Sequence, residues 1–89
     1  MAVPSYNLIV ITPQGVAYEG EVTHCRVPAE QGTIGVLADH APLVTSSSGG
    51  ILEVRENGGE EKKFSVGNGF FEVNHNKATF LTQSFSIEV

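Results

Sequence analysis

The chain has 89 residues, ten of them acidic and five basic, for a formal charge of −5. A chain of that length forms one domain with a single core and hides roughly 60 to 65% of the surface it exposes when unfolded, which leaves no room for a second lobe or a deep active-site cavity. An acidic surface is a poor match for nucleic acid, and no apolar run approaches the roughly 20 residues a membrane helix needs.

Val, Ile and Thr number 22 and aromatics seven, against 11 for Ala and Leu together, which favours strands over helices. Glycines and prolines recur as punctuation between short apolar runs. The first predicted strand is Tyr6 to Ile11, stopped by Pro13 and Gly15, and Val16 to Tyr18 precedes Gly20. Val22 to Val27 ends at Pro28. Thr33 to Leu37 leads to the Asp39-His40-Ala41-Pro42 corner, where proline restrains itself and Ala41. Leu43 to Ser47 runs into Gly49-Gly50. Hairpins follow: Leu52 and Val54 face in, Asn57-Gly58 turns the chain, Phe64 and Val66 return, Gly67-Asn68-Gly69 turns it again, Phe71 and Val73 face in, and Asn74-His75-Asn76 leads to Ala78 and Phe80. Nine or ten short strands at this spacing predict an all-β sandwich or flattened barrel.

The first strand departs from simple alternation. Tyr6, Leu8 and Val10 share one face and Ile9 and Ile11 the other, so both sides are apolar, and a strand buried on two faces meets something besides its own core. That partner is either a barrel end or loop of the same domain, or the surface of another protein.

Candidates for chemistry are few. His24 is mid-strand and outward, while His40 and His75 sit in separate turns, so the three histidines lack the H-x-H or H-x-x-x-H spacing that converges lone pairs on a metal. No metal site is expected. Asp39 and His40 are adjacent on an extended chain and point apart, and no activated serine elbow accompanies them. Asp39 is instead expected to hold the turn ahead of Pro42 through its own side chain. Gly32-Thr33-Ile34-Gly35 lacks a following Lys-Ser/Thr, and Gly67-Asn68-Gly69 meets Glu72 where a dinucleotide fingerprint needs its third glycine, so both read as tight turns and close strand approaches. Glu56 to Lys63 reads as a solvated hairpin tip. Cys25 is the single cysteine. With Thr23 and Val27 on its face it reads as a buried structural thiol. No enzyme activity and no cofactor are expected.

The stretch Val27-Pro28-Ala29-Glu30-Gln31-Gly32-Thr33-Ile34-Gly35-Val36-Leu37-Ala38-Asp39-His40-Ala41-Pro42-Leu43-Val44-Thr45 closely resembles the signature of the epsilon subunit of F-type ATP synthases, a G-x-x-G turn followed by D/G-H-A-P-L-V/L-T. Leu8-Ile9-Val10-Ile11-Thr12-Pro13, Ile51-Leu52-Glu53-Val54 and Gly67-Asn68-Gly69-Phe70-Phe71-Glu72-Val73 fall where that family has matching strands, so the resemblance covers nearly the whole chain.

The resemblance implies a ten-stranded flattened barrel, or two five-stranded sheets, spanning residues 1–89 as one non-catalytic domain of the central stalk. It implies attachment to the gamma subunit through Leu8, Ile9, Val10, Ile11 and His40. A contact with the ring of c subunits is implied at Ala29, Glu30, Gln31, Gly32 and Thr33. The family often carries an acidic residue where Thr33 stands, and Glu30 is close by. No stable homo-oligomer is expected, and membrane association only through the complex, on the cytoplasmic face of a bacterial inner membrane or the stromal face of a thylakoid. Most epsilon subunits continue into a two-helix arm that restrains ATP hydrolysis. Here only eight residues follow Phe80-Leu81, with poor helical composition, so rotor coupling without that arm and without ATP binding is expected.

Overall fold

A computed structural model describes residues 3–88, which form nine strands and no helix among the described residues. The strands are β1 (Tyr6–Thr12), β2 (Gly15–Ala29), β3 (Gly32–Leu37), β4 (Leu43–Ser47), β5 (Gly50–Glu56), β6 (Glu61–Val66), β7 (Gly69–Asn74), β8 (Lys77–Thr82) and β9 (Phe85–Ile87). The strand order β4-β7-β8-β1-β2-β5-β6-β9, with β3 also on β2, folds into a sandwich because β2 belongs to both layers. Its first half, Gly15 to Val22, pairs antiparallel with β1. Its second half pairs with β5 through Arg26 and with β3 from His24 to Ala29. One layer is therefore β4-β7-β8-β1-β2 and the other β3-β2-β5-β6-β9. That reconciles nine strands with the two five-stranded sheets that the family resemblance implies, as a sandwich and not a closed barrel. Among the described residues the single parallel pairing joins β1 to β8.

Two predicted strands, split at Gly20, are thus one long strand. The Tyr18 ring lies over Gly20, filling the space a side chain would take, and Gly20 keeps its place opposite Leu8. Pro28 does not end β2 either. It pairs with Thr33 of β3, while the β5 register has already ended at Arg26, so the missing N–H removes nothing from that ladder. A register shift between Val22 and His24 turns both Val22 and Thr23 inward, where strict alternation would place only one. β9 was not expected as a strand. It pairs Phe85 with Val66 and Ile87 with Phe64.

The core holds Tyr6, Leu8, Val10, Val22, Cys25, Val27, Val36, Leu52, Val54, Phe64, Val66, Phe71, Val73, Ala78 and Phe80, all buried. Every inward position expected in the hairpin series is among them. The Tyr6 hydroxyl donates to the Val36 carbonyl at 2.8 Å and lies 3.0 Å from Cys25 Sγ, so the buried phenol is satisfied and ties β1 to β2 and β3. Burial pushes the Cys25 thiol up to about 11, as expected for an inert structural cysteine.

The turns follow their residues. His75 and Asn76, at φ 52° and 60°, form the two-residue connection that joins β7 to β8, with Asn74 opposite Lys77. The hairpin after β5 is longer than the Asn57-Gly58 pair suggests. Its left-handed residue is Gly59, at φ 94°, and Gly59 N–H donates to the Glu56 carbonyl. Gly69 marks a close approach, since a Cβ there would run into the Leu81 carbonyl of β8.

Candidate functional site

The outer faces of the two sheets differ in character. On the β3-β2-β5-β6-β9 sheet, outward positions carry Arg26 opposite Glu53 and Arg55 opposite Glu61, and these charges pair with each other, at 3.6 Å and 2.8 Å. The charges of that face compensate one another, and its exposed apolar residues, Leu37 and Ile51, stand apart on β3 and β5. On the β4-β7-β8-β1-β2 sheet, register places Ser46, Phe70, Leu81, Ile11 and Val16 side by side in one row across all five strands. The neighbouring row is Val44, Glu72, Thr79, Ile9 and Glu19. Val44 is 67% exposed, Val16 59%, Phe70 58% and Leu81 48%. Large apolar side chains this exposed and contiguous across a sheet mark a surface built to be covered.

Of the five residues expected to bind gamma, the four on β1 separate on its two sides. Leu8 and Val10 are fully buried in the core and offer no surface, which corrects their inclusion: period-two alternation commits them to the interior once Tyr6 is inside. Ile9 and Ile11 are partly exposed and belong to the apolar outer face. His40 lies elsewhere, at the end of the sandwich where β1 begins. Its Nδ1 lies 2.6 Å from the Ala41 carbonyl, and it borders a shallow hollow with Asp39, Pro42, His75 and Asn76. Asp39, at φ 64°, is held by a reciprocal pair with Asn76: its N–H donates to Asn76 Oδ1 at 2.8 Å and its carboxylate accepts from Nδ2 at 3.1 Å. The corner is thus tied to the β7–β8 turn, not closed by a local bond ahead of Pro42.

The turn Ala29 to Thr33 sits at the opposite end. Glu30 and Gln31 form its tip, with Ala29 opposite Gly32 and Gly32 at φ 118°. Glu30 N–H donates to the Ser46 carbonyl at 2.9 Å, and the Ser46 hydroxyl donates to the Glu30 carboxylate at 3.3 Å, which fastens the turn to the end of β4. Glu30, Gln31, Gly32 and Thr33 are exposed and Ala29 half-buried. The five residues form one projecting unit, and Glu30 supplies its charge.

Val16, Val44, Phe70 and Leu81 were missed as surface residues, whereas alternation with Phe71 and Val73 already turns Glu72 outward. The signal was present: Leu43-Val44, Phe70-Phe71 and Phe80-Leu81 are adjacent apolar pairs, and on a strand one member of each must face outward.

Among the described residues no three His, Cys, Asp or Glu side chains are grouped as metal ligands, and no helix is long and apolar enough to cross a membrane. A second feature is a latch between the sheets. The Tyr18 hydroxyl, from the first half of β2, donates to Glu56 Oε2 at 2.6 Å, and Lys62 Nζ lies 3.2 Å from the same oxygen. The bond from Tyr18, and then Lys62, hold the Glu56 carboxyl below its usual range. Burial, and then the carboxylate, hold the Tyr18 phenol above its own.

A small β-sandwich with one uncharged apolar row, an ionic opposite face and a projecting polar turn is a docking module. Residues 5–87 match the family described as the ATP synthase delta/epsilon chain β-sandwich domain, and the chain belongs to that family. It is 43% identical over 76 residues to the ATP synthase epsilon chain of Leptospira borgpetersenii, covering 85% of this chain and 59% of that one. It is 34% identical over 82 residues to the epsilon chain of Chlorobium limicola, covering 92% of this chain and 93% of that one. The chain thus spans 59 to 64% of the length of its Leptospira relatives. A chain in the Euglena gracilis mitochondrial ATP synthase structure of OSCP, F1 and c-ring superposes with a TM-score of 0.86 at 24% identity, over 98% of this chain and 56% of that one. At that identity the likeness is one of fold.

Proposed function

We propose that this domain is a non-catalytic part of the ATP synthase rotor that joins the gamma subunit to the c-ring and so couples proton flow to ATP synthesis. It is peripheral to the membrane, on the side of the catalytic head. The observation that carries the reading is the asymmetry of the two outer faces. A continuous row of Phe70, Leu81, Ile11 and Val16 crossing one sheet is suited to permanent burial against gamma, while the other sheet pairs its outward charges and exposes only the separated Leu37 and Ile51. The turn Ala29 to Thr33 projects from one end and is the c-ring contact. His40, at the other end, is a gamma contact at the margin.

Cysteine cross-linking in the assembled enzyme tests both contacts. Cys25 is fully buried and gives little background. Cysteine at Gln31 or Thr33 should join the polar loop of a c subunit, and cysteine at Ile11 or Leu81 should join gamma. Products only with peripheral-stalk subunits would sink the proposal.

A further inference from the structure

Glu72 lies within the apolar outer face. It stands on β7 between Val44 of β4 and Thr79 of β8, and it lines a shallow depression with Val44, Phe70, Thr79 and Leu81. Among the described residues no cation lies within ion-pair distance of it, whereas the sheet's other outward acids are peripheral. Glu21 lies at the start of the sheet opposite Asn7, where its carboxylate accepts from the Ser5 hydroxyl, and Glu19 is on the far strand. One outward base, Lys77, sits in the row of Asn7 and Glu21. The face therefore carries an excess of negative charge, with one carboxylate in its apolar part.

While that face is open to water, the carboxylate is exposed and solvated. When a partner covers Phe70, Leu81 and Val44, the carboxylate is covered with them. A carboxylate removed from water without a counter-charge is strongly disfavoured, enough to cancel much of the gain from the apolar row. A cation on the partner is the complement that lets the carboxylate stay ionised when the face is sealed.

We infer that Glu72 is a specificity-determining residue of the gamma-docking face, and that gamma presents an apolar patch carrying one arginine or lysine that pairs with it. The inference rests on the proposed docking of gamma through this sheet. The carboxylate would reject a partner surface that is apolar throughout, and the ion pair would set the register of the two surfaces.

The test is the affinity of the full chain for the gamma subunit of the same organism, measured by calorimetry at low and high salt. Glu72→Gln keeps shape and removes charge, Glu72→Lys reverses it, and Leu81→Asp disables the face itself, with circular dichroism to verify folding. Leu81→Asp should abolish binding, Glu72→Gln should weaken it roughly tenfold and flatten its salt dependence, and Glu72→Lys should weaken it more than a hundredfold. If Leu81→Asp abolishes binding while Glu72→Gln binds as well as the unmodified chain or better, the cation is wrong and the docking face stands. If Leu81→Asp still binds, gamma docks elsewhere and the inference falls with the docking reading.

Discussion

Phe70 and Phe71 are neighbours in sequence on opposite sides of β7, and replacing each with alanine separates the core from the docking surface. Phe71 is fully buried, opposite Phe80 on β8, with ring centroids 6.2 Å apart. Removing its ring deletes the transfer free energy of a whole aromatic side chain and leaves a cavity between two sheets that cannot close on it, which together cost about 3 to 5 kcal/mol. A domain of this length is stable by about 5 to 13 kcal/mol, so the loss is a large fraction of the whole. With an m-value of about 1 to 1.5 kcal/mol/M, the urea midpoint should fall by roughly 2 to 5 M. Phe70 is 58% exposed on the outer face, so Phe70→Ala should move that midpoint by less than about 0.5 M. The same variant should weaken binding to gamma. The assay is urea unfolding followed by circular dichroism, with gamma binding measured on the folded variants. Equal midpoints for the two variants, or the larger loss at Phe70, would refute the assignment of faces on β7.

Three further outcomes are expected. Glu56, whose pKa is lowered in the fold by Tyr18 and Lys62, contributes stability that is present above the unfolded carboxyl pKa and is lost as pH falls through the folded one. Tyr18→Phe should therefore show a shallower acid decline in urea midpoint than the parent chain, and an identical decline would mean that the latch is not formed. Cys25, raised to about 11 by burial, has the opposite sign: its contribution is complete below pH 9 and is lost as pH rises toward 11, by up to about 1.4 kcal/mol per pH unit. Cys25→Ala should flatten that alkaline loss, and the thiol should react with a disulfide reagent only on the timescale of unfolding; immediate labelling of the folded chain would contradict the burial. Gly69→Ala should lower the urea midpoint clearly, because its Cβ would meet the Leu81 carbonyl, whereas Gly58→Ala meets open space and should change little. Equal effects would show that the β7–β8 approach is looser than described.

Much of this domain is decided locally. Alternation in Leu52-Glu53-Val54, Phe64-Ser65-Val66, Phe71-Glu72-Val73 and Ala78-Thr79-Phe80 sets the inward side of each strand, because a strand with one buried face admits one register. Asn74-His75-Asn76 and Gly67-Asn68-Gly69 mark the chain reversals for similarly local reasons: left-handed φ angles at His75 and Asn76, and a backbone approach at Gly69 that excludes a side chain. The family signature around Gly32 and His40 is legible too, since it is a contiguous stretch of sequence.

What the tertiary structure decided is which residues from distant strands lie side by side. Gly20 and Pro28 read as stops, but Tyr18 covers the first and the end of the β5 ladder accommodates the second, so one strand passes through both sheets. The two-sided apolar pattern of Tyr6 to Ile11 left its second face ambiguous. Only the parallel register of β1 on β8, with the antiparallel register of β8 on β7, sets Ile11 beside Leu81 and Phe70 and places Glu72 in the adjoining row. No periodicity within a single strand carries that information, because a docking surface is assembled across strands, and the order of those strands is fixed by the packing of the shared core.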